Sequence, residues 1–165
     1  MANLKEVRTR IGSVSSTQQI TSAMKMVSAA KFRRAQNAIL GMRPYSAQLN
    51  EIINDIDVED GIVTPYHDSR KVEKVLLVVV TSNKGLCGAF NSNVIKEATA
   101  RLNHYSNVEP VDKLDVITIG KRATEFFTKR KYNVVESHDE LLDKPEFDSI
   151  ATLADRVMAD FCDKK

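Results

Sequence analysis

The first part of the chain carries apolar residues at alternating intervals of three and four positions. One series lies near the start and a second lies further on, in the order Leu4, Val7, Ile11, Val14 and then Met42, Tyr45, Leu49, Ile52, Ile56. This alternation is typical of the seam of a coiled coil, which is narrower than the apolar stripe of a helix lying on a globule. The pattern predicts a helical shaft over residues 1–57.

A shaft of this size is too long to pack on a small domain. At a rise of about 1.5 Å per residue it would be on the order of 80 Å long. A domain of about 100 residues has a radius of gyration of only about 13 Å. We therefore expect the helix to project, and we expect something other than the rest of this chain's domain to bury its apolar seam.

The middle of the shaft differs from its ends. It contains many alanines, together with the methionines Met24 and Met26. This composition fits a strong helix former, and it also fits a surface that must accommodate more than one partner. Pro44 lies inside the pattern, where proline kinks or ends a helix. Because the seam continues in phase at Tyr45 and Leu49, we predict a kink at Pro44 and not an end.

Beyond the shaft, residues 58–73 form a predicted linker that starts acidic and contains Pro65. From residue 74 onwards, strand-like and helix-like segments alternate, which predicts the α/β class with parallel crossovers. The expected strands and helices, in chain order, are Val75–Val80, Ser92–Asn103, Leu114–Ile119, Lys121–Lys131, Tyr132–Glu136 and Phe147–Phe161.

The expected domain over residues 74–165 is small, three-layered and Rossmann-like. The continuous apolar run of Val75–Val80 predicts a strand that is buried on both faces. Only three strands are expected, so we predict that the domain is incomplete at the C-terminus and that the chain is truncated.

Charge adds one feature to this picture. The whole chain has a net charge of +2, but the first 56 residues hold eight basic and only three acidic side chains. Lys31, Arg33 and Arg34 cluster on the shaft as a basic collar. An acidic partner or a polyanion is the natural counterpart. We do not expect nucleic acid, because the basic residues are scattered over more than one face of the helix.

The segment Lys84–Gly88 lies between the first strand and the following helix, where α/β proteins often bind ligands. It has neither the phosphate-loop spacing nor the dinucleotide fingerprint. Cys87 on this turn is a candidate nucleophile. A cysteine-dependent hydrolase or redox protein is therefore one candidate function, kept as the alternative to a non-catalytic protein. Such a nucleophile needs a base, and the sequence places no histidine beside it. We expect no catalytic residue, no cofactor and no metal site.

Three segments carry a resemblance to a known family. Ile20–Val27, Arg43–Tyr45 and Lys84–Gly88 with Asn91 resemble, in order and spacing, the gamma subunit of the F-type ATP synthase. The resemblance implies a central-stalk rotor shaft, not itself catalytic, that couples proton flow to ATP synthesis or hydrolysis on the beta subunits. It also implies a peripheral location on the cytoplasmic face of the bacterial plasma membrane.

The same resemblance implies the partners. These are the alpha and beta subunits of the catalytic hexamer, the epsilon subunit, the membrane rotor ring and a long C-terminal helix of the same protein, which this chain lacks. The residues implied to contact partners are Met24, Lys25, Arg33 and Arg34 on the shaft, and Lys84, Gly85, Leu86, Cys87 and Gly88 in the loop.

Overall fold

The computed structural model describes residues 3–55, 65–67, 71–107, 111–143 and 145–163. The chain divides into two compact units, Met1–Val63 and Thr64–Lys165. Ile56 and most of the predicted linker lie outside the described residues.

The first unit is a single long helix, α1, which spans Leu4–Asp55 and contains 52 residues. Asn3 precedes it and caps its start, because the side-chain oxygen of Asn3 accepts a hydrogen bond from the backbone N–H of Lys5 (3.2 Å). Pro44 lies inside α1 without ending it. The prediction of a long N-terminal helix is confirmed.

The seam of α1 is exposed to solvent. No residue of the helix is buried. Among the seam residues, the exposed fraction of the side chain runs from 41% at Val7 to 78% at Leu4. A helix of this length with an uncovered apolar seam needs a partner surface, because exposed apolar stripes of this kind normally mark an interface.

The second unit is a small α/β domain with a parallel sheet, as predicted. Its strands are β1 (Lys74–Val80), β2 (Lys113–Ile119) and β3 (Val134–Ser137), and they lie side by side in that order. Its helices are α2 (Phe90–Asn107), α3 (Lys121–Lys129) and α4 (Phe147–Cys162). Short 3₁₀ turns occur at Pro65–His67 and Glu140–Leu142.

The core lies between the sheet and two of the helices. Side chains of β1 and β2 pack against α2 and α3 in a cluster of six buried residues: Val79, Ala98, Leu102, Val116, Ala123 and Phe127. Tyr132, expected to begin the third strand, instead precedes it and packs edge-on against Phe127, with ring centroids 5.2 Å apart. β3 therefore begins at Val134 and continues to Ser137.

The prediction that β1 is buried on both faces is wrong. Val79 is buried, but Val78 and Val80 are 40% and 47% exposed. β1 has β2 as its only strand neighbour among the described residues, and successive side chains of a strand point to opposite faces. The helices that pack against Val79 therefore leave its neighbours uncovered.

The last helix is also less buried than its apolar spacing indicates. α4 has no buried residue, and Phe147 is 83% exposed. The helix is joined to the sheet by an ion pair between Arg156 and Glu136 of β3. Its ring contact is between Phe161 and Tyr66, which stack with centroids 6.0 Å apart.

Candidate functional site

The candidate loop runs from Thr81 to Ala89, between β1 and α2. Its first residue is fixed to the neighbouring β2–α3 turn. The backbone N–H of Thr81 donates to the carbonyl oxygen of Ile119 (2.8 Å). Its buried hydroxyl accepts a hydrogen bond from the N–H of Ala123 (2.9 Å) and contacts the carbonyl oxygen of Gly120 at 3.3 Å. The loop thus starts from a rigid point of the domain.

Gly120 makes this close approach possible. Its φ is +102°, a backbone conformation that residues other than glycine rarely adopt. A β-carbon at this position would overlap the carbonyl oxygen of Thr81 and lie 2.8 Å from Cδ1 of Leu142. The role of Gly120 in supporting the loop becomes visible only in the folded chain, where the two turns lie side by side.

Asn91, in the first turn of α2, closes the loop on itself. Its side-chain oxygen accepts a hydrogen bond from the N–H of Ser82 (3.0 Å). Its amide nitrogen donates to the hydroxyl of Ser82 (2.8 Å) and to Sγ of Cys87 (3.1 Å). The Ser82 hydroxyl in turn donates to the carbonyl oxygen of Lys84 (2.5 Å). One amide side chain therefore holds both arms of the loop together.

Asn83 connects the base of the loop to two other segments. Its side-chain oxygen accepts a hydrogen bond from the N–H of Lys121 at the start of α3 (3.0 Å). Its amide nitrogen donates to the carbonyl oxygen of Asp139 (2.8 Å) and to the carboxylate of Asp143 (3.1 Å). The sequence signal for this anchoring is the polar run Thr81–Asn83 that directly follows β1.

Leu86 forms the tip of the loop. Its side chain is fully exposed, and its φ of +62° lies in the left-handed region. An L-residue in this region is strained, and an apolar side chain in water gains nothing from packing. The loop therefore presents a leucine to solvent in a conformation that its hydrogen bonds enforce.

The surroundings of Cys87 do not resemble those of a nucleophile. Its sulfur lies 3.1 Å from the amide nitrogen of Asn91 and 3.8 Å from the hydroxyl of Ser82, and neither group is a general base. No histidine is among its contacts in the described part of the chain. In this arrangement the thiol acts as a hydrogen-bond acceptor that helps to order the loop.

The other predicted contact residues lie on α1. Met24, Lys25, Arg33 and Arg34 are all exposed. Lys25 lies beside a shallow groove on the helix surface, together with Val14 and Thr21. These four residues belong to the first unit, whereas the loop belongs to the second.

Comparison with known proteins identifies the family. The family model described as ATP synthase matches residues 3–165, almost the whole chain. The chain belongs to this ATP synthase family. The resemblance to the gamma subunit that the three sequence segments indicated is confirmed by this match together with the names of the curated relatives. Nothing in these comparisons supports the alternative of a cysteine-dependent hydrolase.

The curated relatives are ATP synthase gamma chains. The one from Flavobacterium johnsoniae is 48% identical over 163 residues, which cover 98% of this chain and 55% of the relative. The one from Cytophaga hutchinsonii is 47% identical, with 96% and 55% covered. The one from Amoebophilus asiaticus is 41% identical, with 98% and 56% covered. The chain thus spans about half the length of the curated relatives it matches.

Two further properties of the described residues concern sites and membranes. They contain no group of three or more histidine, cysteine or acidic side chains placed to hold a metal ion. Within the same residues, no helix combines the length and apolar character needed to cross a membrane.

Proposed function

We propose that this chain is part of the central stalk of an F-type ATP synthase, where it acts as a rotor shaft. It couples proton flow to ATP synthesis or hydrolysis on the beta subunits and contributes no catalytic residue itself. The observation that carries the proposal is α1, a helix of 52 residues without a single buried side chain. In a protein of the ATP synthase family, such a helix serves to reach and contact other subunits.

The shape and charge of α1 support a specific set of partners. Its apolar seam fits a second long helix, which in the whole protein lies in the part that this chain does not span. The excess of basic side chains around Lys31–Arg34 favours acidic surfaces. We assign these surfaces to the alpha and beta subunits. In this proposal the α/β domain contacts the epsilon subunit and the membrane rotor ring. The protein is then a peripheral protein on the cytoplasmic face of the bacterial plasma membrane.

Two sets of residues make the contacts with the beta subunits in this proposal. The first set is Met24, Lys25, Arg33 and Arg34 on α1. Methionine adapts to several packings, and the cations are exposed for charged partners. The second set is the loop Lys84–Gly88, in which Leu86 is the apolar anchor. An exposed leucine on a loop closed by hydrogen bonds suits a contact that forms with little further ordering of the loop.

Reconstitution tests the proposal. A chimera would carry residues 1–165 of this chain followed by the remaining part of the Flavobacterium johnsoniae gamma chain, and the intact relative would serve as the positive control. The chimera is expected to bind the alpha–beta hexamer of that organism and to support cooperative ATP hydrolysis. If the intact relative binds the hexamer and the chimera does not, the rotor-shaft function is wrong for this chain.

The same chimera separates the shaft function from cysteine chemistry. Cys87→Ser keeps a polar group at the same place and removes the thiolate, so hydrolysis by the reconstituted hexamer should change by less than about twofold, whereas loss of a catalytic nucleophile costs several orders of magnitude. Rapid labelling of Cys87 by iodoacetamide at pH 6, well above that of Cys162, would instead favour a reactive thiol.

A further inference from the structure

A groove of about 340 Å³ lies between α3 and β3, away from both sets of contact residues named above. Its walls are Thr124 and Thr128 of α3, the turn at Tyr132 and Asn133, and the strand residues 134–137. β2 contributes no residue to it. The groove is lined by hydroxyl and amide side chains, which can donate and accept hydrogen bonds, by two valines and by Glu136. The charge of Glu136 is offset by its ion pair with Arg156.

The strand that borders this groove is an edge strand. β3 pairs with β2 and with no other strand among the described residues. The pairing is interrupted, since Val116 is in register with Val134 but Ile117 is in register with Glu136. Val135 is the extra residue, and its side chain is 38% exposed. An open edge offers unpaired backbone groups to an additional strand.

A run of three basic residues, Lys129–Lys131, adjoins the same groove at the end of α3. All three side chains are exposed. None takes part in an ion pair between described residues. The guanidinium of Arg130 lies over the ring of Phe126, 4.4 Å from its centroid, which fixes its direction.

The helix dipole accounts for only part of this run. A cation in the last turn of a helix is favourable, and Lys129 occupies that place. Lys131 lies beyond the end of the helix and has a φ of +60°, which a lysine rarely adopts. A glycine or asparagine would fit this turn with less strain. The position of Lys131 therefore needs another explanation than helix stability.

We propose that the groove and the basic run together bind an extended, acidic segment of a partner polypeptide. The segment adds a strand along the open edge of β3, and its carboxylates pair with Lys129 and Lys131. Charge complementarity selects an acidic segment, and the open strand edge selects an extended peptide. A nucleic acid fits less well, because Tyr132 is the groove's only aromatic residue and is half-buried against Phe127. This contact goes beyond the shaft function and does not depend on it.

Binding of a synthetic peptide to the full chain tests the proposal. The probe is an acetylated peptide of about ten residues in which glutamate and valine alternate, a pattern suited to a strand. Its binding is followed by the NMR amide shifts of the ¹⁵N-labelled chain. The expected shifts are confined to residues 129–137. Lys129→Glu with Lys131→Glu should weaken binding about tenfold or more.

The matched control changes the same number of charges elsewhere. Lys71→Glu with Lys96→Glu also alters two exposed lysines, and it should weaken binding less than about twofold, since it affects only the long-range field. Arg130 is left intact in both variants because its packing on Phe126 contributes to the fold. Circular dichroism of both double variants verifies that they are folded.

Three results would overturn the proposal. The first is no amide shift in residues 129–137 at peptide concentrations up to about 1 mM. The second is equal binding of a peptide of the same charge in which proline replaces valine, because proline cannot supply the strand hydrogen bonds. The third is tighter binding of a single-stranded oligonucleotide than of the peptide, with the same sensitivity to the lysine substitutions, which would assign the surface to nucleic acid.

Discussion

The side chain of Asn91 accepts a hydrogen bond from the backbone N–H of Ser82 at 3.0 Å and returns one to the Ser82 hydroxyl at 2.8 Å. These two bonds join the first turn of α2 to the residue that follows the buried Thr81. The loop between them is therefore closed at its base like a ring. Its tip, at Leu86, has no packing of its own and depends on this closure for its position.

Asn91→Ala removes the closure and should release the loop. It leaves the N–H of Ser82 without its partner, so the free energy of unfolding should fall by about 1–3 kcal/mol. Amide hydrogen exchange in residues 82–88 should accelerate more than exchange in β2. Urea denaturation measures the first effect and hydrogen-exchange mass spectrometry the second.

The control for this change is Asn93→Ala, on the exposed side of the same helix turn. It should alter the free energy of unfolding by less than about 0.5 kcal/mol. Equal exchange rates of the loop in the two variants would show that Asn91 does not order it.

Gly120→Ala should destabilise the α/β domain strongly. The new methyl group would overlap the backbone of Thr81, and the backbone conformation at φ +102° would become strained. Since backbone cannot move aside as a flexible side chain can, we expect a loss of about 3 kcal/mol or more, measured by urea denaturation.

Gly12→Ala is the opposite case on α1. A β-carbon at Gly12 meets no atom within 4 Å, and the residue is inside a helix. Alanine should therefore raise the helicity of α1, with a gain of about 0.5–1 kcal/mol. If both glycine variants lost a similar amount of stability, the overlap of the new methyl group with Thr81 would not be the cause of the destabilisation in Gly120→Ala.

The sequence was sufficient for the elements whose pattern is local. The spacing of Leu4, Val7 and Ile11 predicts the helix that the structure contains, and α1 ends at Asp55, two residues before the predicted limit. The alternation of strands and helices likewise predicts the parallel sheet. The apolar run at Val78–Val80 predicts burial that the structure does not show, because a run of valines does not indicate which neighbours a strand has.

The sequence indicates a candidate loop but does not explain how that loop is held in place. Glycine and cysteine are the residue types that mark the loop in the sequence. The groups that hold it, Thr81 and Asn83, act through partners that lie far along the chain, at Gly120 and Asp139. Such pairings arise only from the folded topology, and no spacing within the loop indicates them.

The titration of Tyr66 should depend on Cys162. A hydrogen bond with the thiol of Cys162 is the main cause that raises the pKa of Tyr66 above its ordinary value of 10.0, and nearby negative charge, including that of Asp155, adds to it. The fold thus favours the neutral phenol. The stability that this contributes is complete below pH 10 and is lost as the pH rises through the raised pKa.

Cys162→Ala should lower the pKa of Tyr66 towards its ordinary value, because the main cause of the shift is removed. Titration of the ¹³C-labelled tyrosine ring by NMR resolves Tyr66 from the other tyrosines. Cys87→Ala serves as the control and should leave this pKa unchanged. An unchanged pKa in Cys162→Ala would show that the thiol does not act on Tyr66.

Leu86→Gly should make the chain more stable and its proposed contact weaker. Glycine relieves the strain of φ +62°, and no packing is lost because the side chain is fully exposed. After allowance for the greater freedom of glycine in the unfolded state, the net gain should be about 0.5–1 kcal/mol. In the chimera described above, the same change should lower the affinity for the alpha–beta hexamer about tenfold, since an apolar anchor is removed.

Lys131→Gly provides the matched control, because Lys131 has nearly the same backbone conformation and is also exposed. It should give a similar gain in stability, measured by urea denaturation, and leave the affinity for the hexamer unchanged. If Leu86→Gly raises stability and lowers affinity, while Lys131→Gly only raises stability, the strained backbone at Leu86 serves the contact with the hexamer. If Leu86→Gly binds the hexamer as tightly as the unaltered chimera, Leu86 is not an anchor, and the loop contact must rest on Lys84 and the backbone.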